Sequence, residues 1–384
     1  MTAPGREYRL DPRLARVLAV AAAVGALGFV AGAMLAPERA WSGLLVGFHY
    51  VLGLGLAGAV FLALIGCSGA RWPAALRRVP EAMSGAIPVA AVAALVLLFG
   101  VQTLFEWAHP GAVEHDEILT AKSPYLNAPF LAARTVVSFA LWTWTAMKLR
   151  EAAPGAARVR WGAAFMAVFG VTYSVASVDW LASLEPHWSS TIFAIITLAG
   201  LALSGVAAAI VFAVHLRRRG AWEGVLSEDH LHDLAKLLFA FSLFWSYLQY
   251  CQYMLIWYTN LPEETSWYVP RLQGMWRSTG ALSFVLNGAL PFVLLLFRRV
   301  RRSEKALLRV AVLVLVGRVA ELFFHVGPPT MKALGPSPWP SPWEVLPVVG
   351  LASLFALVVL QALARGPSVR ADEPGLDYSL HYHA

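Results

Sequence analysis

Cysteine and charge are scarce in this sequence. Only Cys67 and Cys251 occur in 384 residues, and 14% of positions are Asp, Glu, Lys or Arg. Both thiols fall in or beside apolar segments, so they offer no disulfide framework. There is no CxxC, no CxxCH and no set of four cysteines, which excludes covalent haem c and iron–sulfur ligation on this chain. No His/Asp/Glu grouping makes a metal site; the loop pair His115–Asp116 is too little. Haem b is not expected either, because His49 and His325, both within apolar runs, lack the repeated facing pairs of cytochrome b subunits.

Apolar residues are what the sequence has in plenty. The chain is 58% hydrophobic with a mean hydropathy of +0.61, beyond the range of soluble domains. Runs long enough to cross a bilayer recur along its length. Ten candidate spans are read, at 14–36, 41–65, 83–105, 127–148, 160–182, 189–215, 232–258, 275–297, 306–326 and 342–364. Lipid leaves no partner for an open backbone, so these are predicted to be helices; the pattern is too continuous for barrel strands. The first run has no small-residue cleavage site with a soluble domain behind it, so no signal peptide is expected. The expected fold is an all-α, polytopic membrane domain over 1–365 with a polar, loosely ordered tail over 366–384. Segments 83–105, 127–148, 160–182 and 189–215 are expected to form one four-helix unit, and 232–364 to supply a second, leaving two peripheral helices.

The net charge of +7 reflects topology rather than nucleic-acid binding. Arg6, Arg9 and Arg13 precede the first span and Arg16 lies at its start. Every second loop then carries basic residues: Arg71, Arg77 and Arg78; Lys148, Arg150, Arg158 and Arg160; Arg217, Arg218 and Arg219; Arg298, Arg299, Arg301, Arg302 and Lys305. Arg365 and Arg370 follow the last span. The alternate loops carry only Arg39, Lys122, Arg271 and Lys332, among Pro, Trp and acidic residues. This alternation predicts both termini in the cytoplasm.

Ionisable groups within spans are costly and mark function or buried pairing. "GRVAELFFH" places Arg318, Glu321 and His325 at i, i+3 and i+7, on one helix face. Arg318 lies about 18 Å from the inner helix end near Ala306. An ion pair holding helices in register explains the set as readily as a functional role does. The seventh span opens with His232, Asp233 and Lys236 and carries Ser246 and Tyr247 deeper, as either interhelical glue or a proton route. The stretch "VDWLASLEPHW" brings Asp179, Glu185 and His187 to the outer end of the fifth span. A carboxylate–imidazole set there suits proton exit, although solvated loop residues would look the same.

Several longer stretches resemble one family. "DLAKLLFAFSLFWSYLQYCQYMLIWYTNLPEET" (Asp233–Thr265), "VDWLASLEPHWSSTIF" (Val178–Phe193), "HDEILTAKSPYLNAPFLAAR" (His115–Arg134) and "RVPEAMSGAIPVAAVAALVLLFG" (Arg78–Gly100) are similar to the ten-helix quinol-interacting membrane subunits of alternative complex III, within the NrfD/PsrC-like family. The resemblance covers roughly residues 40–330 and is nearest to the smaller, ActF-type paralogue. It implies a multi-pass subunit of the bacterial inner membrane that supports quinol oxidation and electron transfer to cytochrome c or an oxidase. Implied partners are the larger NrfD-like paralogue, an iron–sulfur protein, cytochrome c subunits and a terminal oxidase. Haem c and iron–sulfur clusters would sit on those partners, and the redox cofactor within reach would be quinol or menaquinol. A proton route is expected from His232, Asp233 and Lys236 past Ser246 and Tyr247 to Asp179, Glu185, His187, Arg318, Glu321 and His325. A quinol headgroup, if bound, is expected near Glu106, Arg134, Gln252, Tyr253 and Arg277, walled by Trp257 and Tyr258. Another open reading is a quinol-binding anchor of a different respiratory oxidoreductase. A stand-alone transporter also stays open, since Pro88 and Pro291 fall within spans.

Overall fold

The structure, a computed structural model, describes residues 7–371 and 373–383; Arg6 lies outside them. It is all-helical, with no strand among the described residues. Seven helices are long and apolar enough to cross a membrane: α1 (Pro12–Leu35), α2 (Pro37–Ser68), α3 (Ala74–Leu104), α5 (Ala156–Leu184), α6 (Phe193–Arg218), α8 (Gly274–Leu296) and α10 (Pro342–Ala364). Three more long helices coincide with predicted spans but are more polar: α4 (Ala128–Glu151), α7 (Glu228–Thr259) and α9 (Glu304–Thr330). Those three bear most of the charged and hydroxylated side chains singled out above.

Local chemistry sets the helix starts. Asp11 caps α1 through the Arg13 amide ahead of Pro12, and Asn127 caps α4 through the Phe130 amide. Ser227 with His230 opens α7, and Ser341 with Glu344 opens α10, both as reciprocal capping boxes. Two helices are interrupted. α3 breaks into short α and 3-10 pieces around Pro88 and Gly100. α8 widens into a π-turn over Val285–Ala289 just before Pro291.

Helices α2 and α6 form the centre. Their most apolar windows are 67% and 78% buried, against 17% for α1. α2 is apolar on every face and rich in glycine, so it packs on all sides, touching α1, α3, α5, α6, α9 and α10. α6 packs on α7 and α9 rather than completing a unit with α3, α4 and α5, as the sequence grouping expects; α2 takes that place instead. α1 leans on α10 through Gly25 and Gly350, where a Cβ on Gly25 would sit 2.3 Å from the Gly350 Cα.

Contacts sort the loops by end. At one end Tyr8 bonds His215, Asp11 pairs with Arg219, Glu304 with Arg218, Asp229 with Arg302, and Glu373 with Arg158. At the other, Arg39 pairs with Glu344, Asp116 with His187, and Glu185 with Arg271. The basic loops therefore gather at one end.

The described residues of the tail, 366–371 and 373–383, are docked at that basic end, contrary to the loose tail expected. Val369 and Ser379 are 1% and 0% exposed. Trp222 Nε1 donates to the Ser368 carbonyl at 3.0 Å, Ser379 meets His230 and the Trp72 carbonyl, and the Tyr382 hydroxyl donates to Asp233 at 2.5 Å. Its composition is polar, but its polar groups match charges left on the helix ends, a match that composition does not reveal.

Candidate functional site

A buried carboxylate lies at the meeting point of α6, α7, α8 and α9. Glu321 is 1% exposed. Arg318 Nη1 stands 2.6 Å from its Oε2, and His325 Nε2 lies 3.7 Å from its Oε1. From α7, Trp245 Nε1 donates to Oε1 at 2.8 Å and Gln249 Nε2 does so at 3.4 Å. From α8, Asn287 Nδ2 reaches Oε2 at 3.5 Å. The i, i+3, i+7 spacing on α9 places Arg318 and His325 on either side of Glu321. Gly200 of α6 makes room for the guanidinium: a Cβ there would lie 2.0 Å from Arg318 Nη1.

Proline shapes the α8 side of this centre. Pro291 has no N–H for the carbonyl of Asn287, four residues back, and its ring crowds that oxygen. The Ser242 hydroxyl of α7 supplies the missing donor, at 2.6 Å from the Asn287 carbonyl and 3.4 Å from that of Gly288. The π-turn absorbs the displaced backbone and turns the Asn287 amide toward Glu321.

His325 links the centre to the acidic end. It is 4% exposed, and neither ring nitrogen has a hydrogen-bond partner among the described residues. Phe193 and Trp267 pack on the ring, with centroids at 5.5 and 5.6 Å. Beyond it, Arg271 is 1% exposed and grips Glu185 through both terminal nitrogens, at 3.1 and 2.6 Å. Arg271 also donates to the Phe324, His325 and Trp267 carbonyls and lies 3.8 Å from the Trp267 ring centroid. Burial pulls the Arg271 guanidinium below its ordinary range while Glu185 opposes the shift; an arginine so held stays charged at neutral pH.

The remaining predicted residues are scattered. Asp179 accepts Arg134 Nε at 2.9 Å and Nη2 at 2.8 Å, plus the Tyr125 hydroxyl at 2.9 Å. Burial and the Asp179 charge push the Tyr125 phenol up to about 12. The cavity against this pair is about 10 Å³, room for one water at most and not for a quinol ring. His187 Nε2 bonds Asp116 at 2.6 Å in an exposed loop contact. The amide of Leu119, then the His187 bond, lowers the Asp116 carboxyl. At the basic end Asp233 pairs with Lys236 at 2.7 Å, and His232 is 8% exposed without a hydrogen-bond partner among the described residues. Twelve residues of α7, about 18 Å, separate Asp233 from Trp245. Ser246 returns its hydroxyl to the Ser242 carbonyl, and Tyr247 is 60% exposed on the outer surface. The quinol candidates are not brought together: Gln252 accepts from Ser190 at 2.8 Å, Tyr253 meets Tyr268 edge-on, and Glu106, Trp257, Tyr258 and Arg277 are exposed.

Sequence reasoning missed Trp245, Asn287 and Arg271 as parts of the centre. Asn287 carries a usable signal, an amide in an apolar run four residues before a proline. Arg271 reads only as a loop charge, and nothing distinguishes Trp245 from the other tryptophans.

No protein-family model and no curated protein matches the chain. What fold and site define together is a class: an all-helical protein built for a membrane, with a carboxylate centre buried among its helices.

Proposed function

We propose that this chain is an integral subunit of an alternative complex III-type quinol oxidoreductase, contributing proton handling rather than electron transfer. The Glu321 centre carries the reading. A carboxylate shared by three helices, with an imidazole 3.7 Å away that makes no hydrogen bond among the described residues, is the arrangement a proton-loading station needs. In this reading Glu321 and His325 hold and pass the proton, Arg318 sets the local charge, and Arg271–Glu185 gates the acidic end. Electron carriers belong to partner subunits. The grouping of basic loops at one end supports ten spans with both termini in the cytoplasm of a bacterial inner membrane. Asp179 and Arg134, bound to each other, act as a structural lock in this scheme.

The test is Glu321→Gln in the assembled complex, reading quinol turnover and proton release together. The expected result is turnover with diminished proton output. Both unchanged would remove Glu321 from the scheme. The interruptions of α3 and α8 favour one other reading, a stand-alone transporter with broken helices at mid-depth. Co-purification separates the two, because a transporter comes away without haem or iron–sulfur partners.

A further inference from the structure

A pocket of about 320 Å³ opens at the basic end between α3, α4 and α10, lined in part by Arg78, Glu81, Met147, Arg150, Ala362 and Arg370. Its carboxylates are heavily subscribed. Glu81 receives Arg77 at 2.8 Å, Arg78 at 3.3 Å and Arg370 at 3.3 Å. Glu373, just behind, takes Arg158 at 2.6 Å and Arg77 at 3.4 Å. Arg150 has no ion pair or hydrogen bond among the described residues, although its Nη1 lies against Gly85 in the pocket wall. Glu151, at the rim, is 59% exposed and is engaged by Lys148 at 3.6 Å. Buried nitrogens are left over as well: Arg77 Nη2, Arg78 Nε and Arg158 Nε have no hydrogen-bond partner among the described residues. Among the described residues, three guanidiniums, Arg78, Arg150 and Arg370, thus line the open volume with one buried carboxylate, Glu81, and the rim carboxylate Glu151, and the Arg77–Glu373–Arg158 cluster lies behind them. Partly buried positive charge of this kind calls for an anion. Met147 and Ala362 give the rim an apolar side, continued along α4 by Trp144, which is 48% exposed.

We propose that this pocket binds the phosphate of an anionic phospholipid, with Arg150 as its principal ligand and Arg78 and Arg370 beside it. Basic pockets between helix ends recognise such headgroups, since guanidinium meets phosphate through paired hydrogen bonds. The acyl chains would then run along Met147 and Trp144. The site does not depend on the redox reading of the molecule.

The experiment uses the full chain in detergent and reads Tm on adding cardiolipin, phosphatidylcholine or inorganic phosphate at matched phosphate concentration. The variants are Arg150→Gln and, as a control for general surface charge, Arg298→Gln in the exposed basic loop. The expected result is a rise in Tm of several degrees with cardiolipin, little with phosphatidylcholine, and loss of the rise in Arg150→Gln but not in Arg298→Gln. An equal rise with inorganic phosphate, also lost in Arg150→Gln, keeps the site and assigns it to free phosphate. No rise, or a cardiolipin rise unaltered in Arg150→Gln, overturns the proposal. Arg150 makes no ion pair or hydrogen bond among the described residues, so its replacement leaves the folded chain available for the comparison.

Discussion

Single residues here act mainly through whom they pair with. Asp179 and Arg134 sit 3% and 11% exposed, so removing one strands the other. Asp179→Asn is expected to destabilise by about 3–5 kcal/mol, read as a fall in Tm. Replacing both by apolar residues of similar volume recovers most of that loss, because a buried pair adds little over good packing. A proton-relay role would predict the reverse order in function, with the double variant no better than the single. Asp116 gives a pH prediction. Its carboxyl is lowered by backbone amides and His187, so its contribution is in place above the unfolded value of about 4 and disappears as pH falls through the lower folded value. Hydrogen-exchange protection factors over the short Glu117–Lys122 helix, with the intrinsic pH dependence divided out, are therefore expected to be steady at neutral pH and to fall below about pH 4.

At the scale of elements, close backbone approach and a displaced turn do the positioning. Gly25→Ala pushes a methyl into the Gly350 backbone, with a cost of about 1–3 kcal/mol; a cysteine cross-link between α1 and α10 should then form more slowly. Pro291→Ala restores an amide to α8, so the π-turn should relax and Ser242 lose its acceptor. Slower hydrogen exchange over Val285–Ala289, as a regular helix replaces the π-turn, would report it. The helices themselves were legible in the sequence, since apolar length and N-cap residues such as Asp11 and Asn127 are local properties. The i, i+3, i+7 set on α9 was legible for the same reason. What escaped was non-local. Asn287 reaches Glu321 only because Pro291 displaces a turn, and Arg271 is buried only because Glu185 and the Phe324 and His325 carbonyls arrive from elsewhere in the chain. The sorting of α2 and α6 between packing neighbours likewise depends on which helix is apolar all round, which loop lengths do not encode.

Across the whole molecule, the 366–383 segment ties the basic end together. Glu373→Gln leaves Arg158 and part of Arg77 uncompensated, for an expected loss of about 3–5 kcal/mol together with new protease cutting after Arg365 or Arg370. The bond between Arg77 and Glu373 joins positions 296 apart. In a growing chain Arg77 finds Glu81 four positions on, whereas Arg158 has to wait for a carboxylate 215 positions further along. A product broken off ahead of that glutamate keeps Arg158 bare at its basic end, the one half of a long-range pair that no nearby residue replaces among those described.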